Sequence, residues 1–175
     1  LSPSLTWCVR RTTVSNRETA SSHRSAKKLL ATFDKHVGKK YDAADDETGV
    51  ALELACALAY GDEFCQRDPA RLQQFVKYGK RWLKYFPDFL KYAPPYNNPI
   101  LVLEGKTSKI KGAMDFFGQF SRDALAEVRK SPAGKTSWLA KWALTPTEDG
   151  SLLDDKEVIA ATFDSFMGIP PTFSF

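Results

Sequence analysis

Along most of this chain apolar side chains return every third or fourth residue, and no segment alternates apolar and polar residues with a period of two. A helix turns once in about 3.6 residues whereas a half-buried strand alternates, so the pattern predicts an all-α fold held by packed helix faces. No segment repeats another at a fixed period.

The faces can be read one by one. Leu29, Leu30, Phe33 and Val37 share one side of a helix that starts near Ser25, with Gly38 as its stop. Val50, Leu52, Leu54, Ala55, Leu58 and Ala59 make the next segment apolar nearly all round, which predicts a central, buried helix ended by Gly61. Asp68 followed by Pro69 is a strong helix start, an N-cap with proline at the first helical position. The stripe behind it is Leu72, Phe75, Val76, Gly79, Trp82, Leu83 and Phe86. Pro87 is expected to break this helix and open an aromatic, proline-rich connection. A long helix is expected from about Val102 to Lys130, a shorter one over "SWLAKWAL", and a loop at "TPTEDG".

The last helix is the best specified. Asp154 can cap it, with Glu157 three residues on as an acidic variant of the capping box. Leu153 and Val158 are spaced as a hydrophobic staple across that cap. Val158, Ile159, Phe163, Phe166 and Met167 form a wide apolar face, and Gly168 with Pro170 can close the helix, predicting regular structure from Asp155 to about Met167. The expected organisation is one partial domain: a poorly ordered segment over 1–24, a helical array over 25–167 and an irregular tail over 168–175.

Composition narrows the function class. With 175 residues, 43% apolar and 26% charged, the chain is the size of one globular domain or of part of a larger one. No apolar run approaches the ~18 residues of a membrane span. The first residues, "LSPSLTWCVRRTT", have no continuous apolar core and do not read as a signal peptide; lacking methionine, they read as a processed or truncated start. Cys8, Cys56 and Cys65 are too few and too irregular for a disulfide framework, and Cys56 reads as a buried, inert thiol. With only His23 and His36 beside them, no structural zinc site is expected, and a reduced or cytosol-facing compartment is. The net charge of +4 comes in alternating basic and acidic blocks, the mark of solvated helix faces more than of a nucleic-acid groove.

Three motifs carry chemistry elsewhere and read differently here. Gly105-Lys106-Thr107 and Gly134-Lys135-Thr136 lack the upstream glycine of a phosphate-binding loop; Ile100 and Arg129 hold that position. Gly61-x-x-x-Cys65 is half of a haem-thiolate loop, but Leu58 and Arg67 stand where that loop needs Phe and Gly, so a helix-end turn is expected. The stretch from Phe75 to Tyr96 mixes basic and aromatic residues. It reads as a core helix with a solvated basic face, with membrane-interface contact and single-strand nucleic-acid binding as alternatives. Asp154, Asp155 and Glu157 read as helix-capping groups before a catalytic carboxylate cluster.

The order of the segments carries a family resemblance. A buried helix ends in "ALAYGDEF". "RDPARLQQFVKYGKRWLKYFPDFLKYAPPYN", "DALAEVRKSPAGKTSWLAKWAL" and "LLDDKEVIAATFDSFMG" follow in turn. Over about residues 25 to 169 this resembles the middle of a fungal-type cytochrome P-450, from its D helix through the first half of its I helix. Tyr60-Gly61 is similar to the end of that family's E helix. Residues Pro87 to Pro94 are similar to the connection after its F helix, and Leu152 to Ala160 to the opening of its I helix.

The resemblance implies an incomplete, layered helix array from the middle of that fold, and a haem-dependent monooxygenase lineage. It also implies a small apolar substrate, a redox-partner reductase and the cytosolic face of the endoplasmic reticulum membrane. Gly168 and Thr172 match the family's haem-facing I-helix motif, but Pro170 and Pro171 occupy its acid and threonine positions. Arg11, with Trp7, is the counterpart of a haem-propionate partner. Phe163, Phe166 and Met167 would face substrate. No Glu-x-x-Arg helix and no complete cysteine-ligand loop occur in the chain, so the resemblance implies an inactive fragment that binds no haem stably. The alternative is a self-contained helical binding module that uses residues 75–96 for membrane-surface or nucleic-acid contact; under the first reading no nucleic acid is expected.

Overall fold

The computed structural model describes residues 16–41, 43–91, 99–132 and 136–167. Their regular structure is helical throughout: α1 (Asn16–Asp34), α2 (Ala44–Tyr60), α3 (Asp62–Arg67), α4 (Pro69–Lys91), α5 (Pro99–Leu103), α6 (Lys106–Lys130), α7 (Trp138–Leu144) and α8 (Asp155–Met167). No strand occurs among the described residues.

Helix boundaries follow the expected caps where these are local. The Arg71 amide donates to Asp68 Oδ1 at 3.0 Å, so Asp68 caps α4. At α8 the capping box closes in both directions: the Glu157 amide donates to Asp154 Oδ1 at 2.8 Å and the Asp154 amide to Glu157 Oε2 at 3.0 Å. Leu153 and Val158 both pack on the core, as a staple there requires. Ser137 caps α7 by accepting from the Ala140 amide at 3.2 Å. Gly61 ends α2 at φ +98°, a left-handed conformation that a residue with a Cβ rarely adopts.

Five boundaries differ from the sequence expectation, among them the end of the first helix, which stops at Asp34 short of Gly38 and leaves Val37 77% exposed. The first helix begins at Asn16, so residues 16–24 belong to it and not to a poorly ordered segment. Apolar periodicity is blind there because the segment is polar, yet Arg, Glu and Ala extend a helix once it is nucleated. Pro87 does not break α4, which continues to Lys91. Proline deletes one backbone donor, and the stacked rings of Trp82 and Phe86, 4.0 Å apart, hold the preceding turn in place. The single long helix expected from Val102 is interrupted at Gly105, whose φ of +65° separates α5 from α6. Finally, residues 62–67 form α3 where only a helix-end turn was expected.

The core lies where α2, α4, α6 and α8 meet, with α7 packed against α6 and α8 and α1 against the outside of α2. Tyr60, Phe75, Phe117, Phe120 and Phe166 fill its centre, with neighbouring ring centroids 5.0–6.0 Å apart, mostly edge-on or tilted. Such arrangements set the positive edge of one ring against the negative face of the next. A polar pair sits at this centre, Tyr60 Oη and Ser121 Oγ, hydrogen-bonded at 2.9 Å and both buried. Burial holds the Tyr60 phenol well above its ordinary range. Helices α2 and α4 touch at Gly79, where an added Cβ would lie 2.6 Å from Leu52 Cδ2. Glycine at that point lets the two helices close.

Candidate functional site

Three places bear on function: the inner face of α8, the basic-aromatic helix α4, and a cavity beside α3.

On α8 two of the three side chains named as substrate-facing, Phe163 and Phe166, pack on the core. Phe166 is fully buried against Tyr60, Phe75, Phe117 and Phe163. Phe163 is half-buried at the edge of the same cluster, its ring centroid 6.1 Å from Trp82 and 5.9 Å from Phe117. Thr162 is buried too and donates to the Val158 carbonyl at 2.8 Å, so its hydroxyl serves the helix itself. Met167 is the last residue of α8, and its side chain lies outside the described residues, as do Gly168, Thr172 and Arg11 entirely. The α8 face is therefore covered by the chain's own aromatic rings. Among the described residues no three His, Cys, Asp or Glu side chains group as metal ligands would.

On α4 the aromatic residues and the cations separate by face. Phase with the helix turn sends Phe75 and Trp82 into the core, both buried, with Tyr78, Tyr85 and Phe86 half-buried against it. Lys77 and Lys84 are exposed. Lys80 reaches back to Asp45 of α2 at 2.6 Å, and the Arg81 guanidinium sits 5.2 Å from the Tyr78 ring centre. The buried rings support the core reading of this helix, since they cannot stack on a base or enter lipid in this fold. The side chains of 89–91 and all of 92–98 lie outside the described residues. Just beyond, α5 presents Ile100, Val102 and Leu103 to solvent, Leu103 at 87% exposure. No helix among the described residues is long and apolar enough to cross a membrane.

Of the two Gly-Lys-Thr triplets, Gly105-Lys106-Thr107 straddles the α5–α6 junction. Its lysine is held by Asp88 and Glu104, each at 2.7 Å. These carboxylates hold the Lys106 ammonium above its ordinary range and leave it no free charge for a phosphate. In the second triplet, Gly134 and Lys135 lie outside the described residues.

The third place did not emerge from the motifs. A cavity of about 210 Å³ opens between α3, α4 and α6, lined by Phe64, Cys65, Arg67, Asp68, Arg71, Leu72 and Phe120. The Arg71 guanidinium lies 4.8 Å from the Phe120 ring centre and 5.8 Å from that of Phe64, and it pairs with Asp123. Arg67 makes a two-toothed contact with Glu127 at 2.7 and 2.9 Å, which raises its guanidinium pKa further. Cys65 Sγ lies 2.6 Å from Cys56 Sγ of α2, and Cys56 is not among the lining residues. Both sulfurs are free thiols, Cys56 fully buried and Cys65 nearly so. Burial, then the contact with Cys65, pushes the Cys56 thiol well above its usual range. Cys56 is thus buried as expected but paired, and Cys65 is a core residue of α3. The one hint in the sequence was Gly61 between two cysteines, a turn able to fold the second back on the first.

No family model matches the chain, and no curated protein and no solved structure matches it significantly.

Proposed function

We propose that this chain is the distal, substrate-access portion of a haem-thiolate monooxygenase of the cytochrome P-450 kind, and that alone it activates no oxygen. The observation that carries the reading is the order of the packed helices. Two long helices, α4 and α6, lie against each other, separated in sequence by the proline-rich stretch, and α6 also packs on the capped helix α8. Tyr60-Gly61 closes helix α2, which packs on α8, and the resemblance makes α2 the counterpart of that family's E helix.

In the complete enzyme haem supplies the oxygen chemistry, a redox-partner reductase the electrons, and a small apolar molecule the substrate. No catalytic step is assigned to the described residues. Their part is a wall: Phe163 and Phe166 stiffen the helix that would continue over the haem. The exposed apolar residues of α5 favour the region after α4 as a lid facing the endoplasmic reticulum membrane from the cytosolic side.

Sequencing the transcript beyond the codon for Phe175 tests the lineage: an open frame encoding Glu-x-x-Arg and a cysteine-ligand loop is expected, and their absence from the gene sinks it. A pyridine haemochromagen assay on the purified chain is expected to find no stoichiometric haem. A thiolate-type Soret band with carbon monoxide would overturn the inactivity.

The rival is a self-contained helical module binding a membrane surface, and Ile100, Val102 and Leu103 favour it as well. Vesicle flotation of the chain, lost in I100S/L103S while the gene shows no downstream haem half, would decide for the module.

A further inference from the structure

We propose that Cys56 and Cys65 are an oxidisable dithiol, and that a low-molecular-weight disulfide entering the cavity beside α3 converts them to an intramolecular disulfide tying α3 to α2. The inference stands independently of the proposed function.

Four observations lead to it. The two sulfurs lie 2.6 Å apart, so a bond of about 2.05 Å needs only a small further approach. The left-handed turn at Gly61 sets this geometry, because it folds α3 back along the last turns of α2. The thiols differ in access: Cys65 lines the cavity and Cys56 does not. The cavity, at about 210 Å³, has a rim of both charges, Arg67, Arg71 and Asp68, over an aromatic floor of Phe64 and Phe120. That suits a small polar disulfide better than a macromolecule.

The difference in access orders the chemistry. Cys65 Sγ, as thiolate, attacks one sulfur of the incoming disulfide RS–SR. The S–S bond breaks, RS⁻ leaves and takes up the proton that Cys65 lost, and a mixed disulfide remains on Cys65. Cys56 then loses its proton and attacks Cys65 Sγ, expelling the second RS⁻, which is protonated in turn. Two protein thiols are oxidised by two electrons, one small disulfide is reduced to two small thiols, and two protons pass to them. Cys56, fully buried and with its thiol pKa raised, is a poor first nucleophile. It becomes effective in the second step, where its target is already in contact.

The test uses the full chain carrying Cys8→Ser, so that only these two thiols remain. It is incubated folded with oxidised glutathione, quenched in acid, unfolded, alkylated and weighed. The expected product takes up no alkylating group and no glutathione, and its proteolytic map joins the peptides containing Cys56 and Cys65. Cys56→Ala in this background is expected to stop at a stable glutathione adduct on Cys65. Cys65→Ala is expected to form adduct on Cys56 at least tenfold more slowly, with helicity checked by circular dichroism. Two thiols still alkylatable after oxidation of the folded Cys8→Ser chain overturn the proposal, whatever the other variants do. So does an adduct on Cys56 that forms as fast as the one on Cys65, since entry would then not be through the cavity.

Discussion

Helices α1 and α8 are both amphipathic, yet they are attached by different forces. Over 19 residues, α1 has no buried apolar side chain among those described; Leu30 is 61% exposed and Leu29 and Phe33 only half-buried. It is held to its neighbours by Arg24–Asp62 and Lys28–Glu53, ion pairs near the surface. The shorter α8 buries Val158, Thr162 and Phe166 completely among rings from three other helices. What docks a helix here is how many partners meet its apolar face, not its length or the regularity of its pattern. Exposed ion pairs contribute at most about 1 kcal/mol each, whereas one buried aromatic contributes several.

The contrast can be broken most directly at the centre. Phe166→Ala removes a ring with four aromatic neighbours and should cost about 3–5 kcal/mol, read as a lower urea midpoint at unchanged slope. A loss below about 1 kcal/mol would mean the cluster is loose and α8 no better attached than α1. Next comes the α2–α4 contact. Gly79→Ala drives a methyl into Leu52 and should destabilise by about 1–3 kcal/mol despite the better helix propensity of alanine. Gly112→Ala on α6 meets nothing within 4 Å and should stabilise by about 0.5–1 kcal/mol. Opposite signs for one chemical change are the test; equal signs would show that the contact is not close.

Smaller effects sharpen the outer half of the comparison. Asp154→Ala opens the capping box of α8 and should cost about 1 kcal/mol, seen in thermal melts and as faster amide exchange over 155–158. Arg24→Ala should cost the least, below about 1 kcal/mol, and the difference from the unsubstituted chain should vanish in high salt. A salt-independent loss there would show that α1 is held by more than its ion pairs.

These differences mark how far the sequence could be read. Local signals were legible: Asp68, the Asp154–Glu157 box and Gly61 each act within one turn, and each ends or starts a helix where it should. Pro87 and Gly105 misled because their effect depends on neighbours. One is a tolerated proline beside stacked Trp82 and Phe86, the other a break inside an otherwise helical pattern. The apolar face carrying Phe163 and Phe166 was legible from spacing, but the rings that cover it come from positions 60, 75 and 117, a pairing no local pattern encodes. The meeting of Cys56 and Cys65 was hidden for a related reason: it depends on a short helix too polar to show periodicity. Gly168, Thr172 and Arg11, on which the haem-proximal expectation rests, lie outside the described residues.

The Tyr60–Ser121 contact gives the core a clock. A phenol whose pKa is raised by burial lends its full stabilisation below the unfolded value near 10 and loses it progressively as pH climbs above that value. Just above that value the folded chain keeps Tyr60 protonated while unfolded copies ionise. Phenolate absorbance appearing after a jump to alkaline pH would therefore have a prompt part from accessible tyrosines and a delayed part from Tyr60. The delayed part measures how often the junction of α2, α4, α6 and α8 comes apart, and Tyr60→Phe should abolish it.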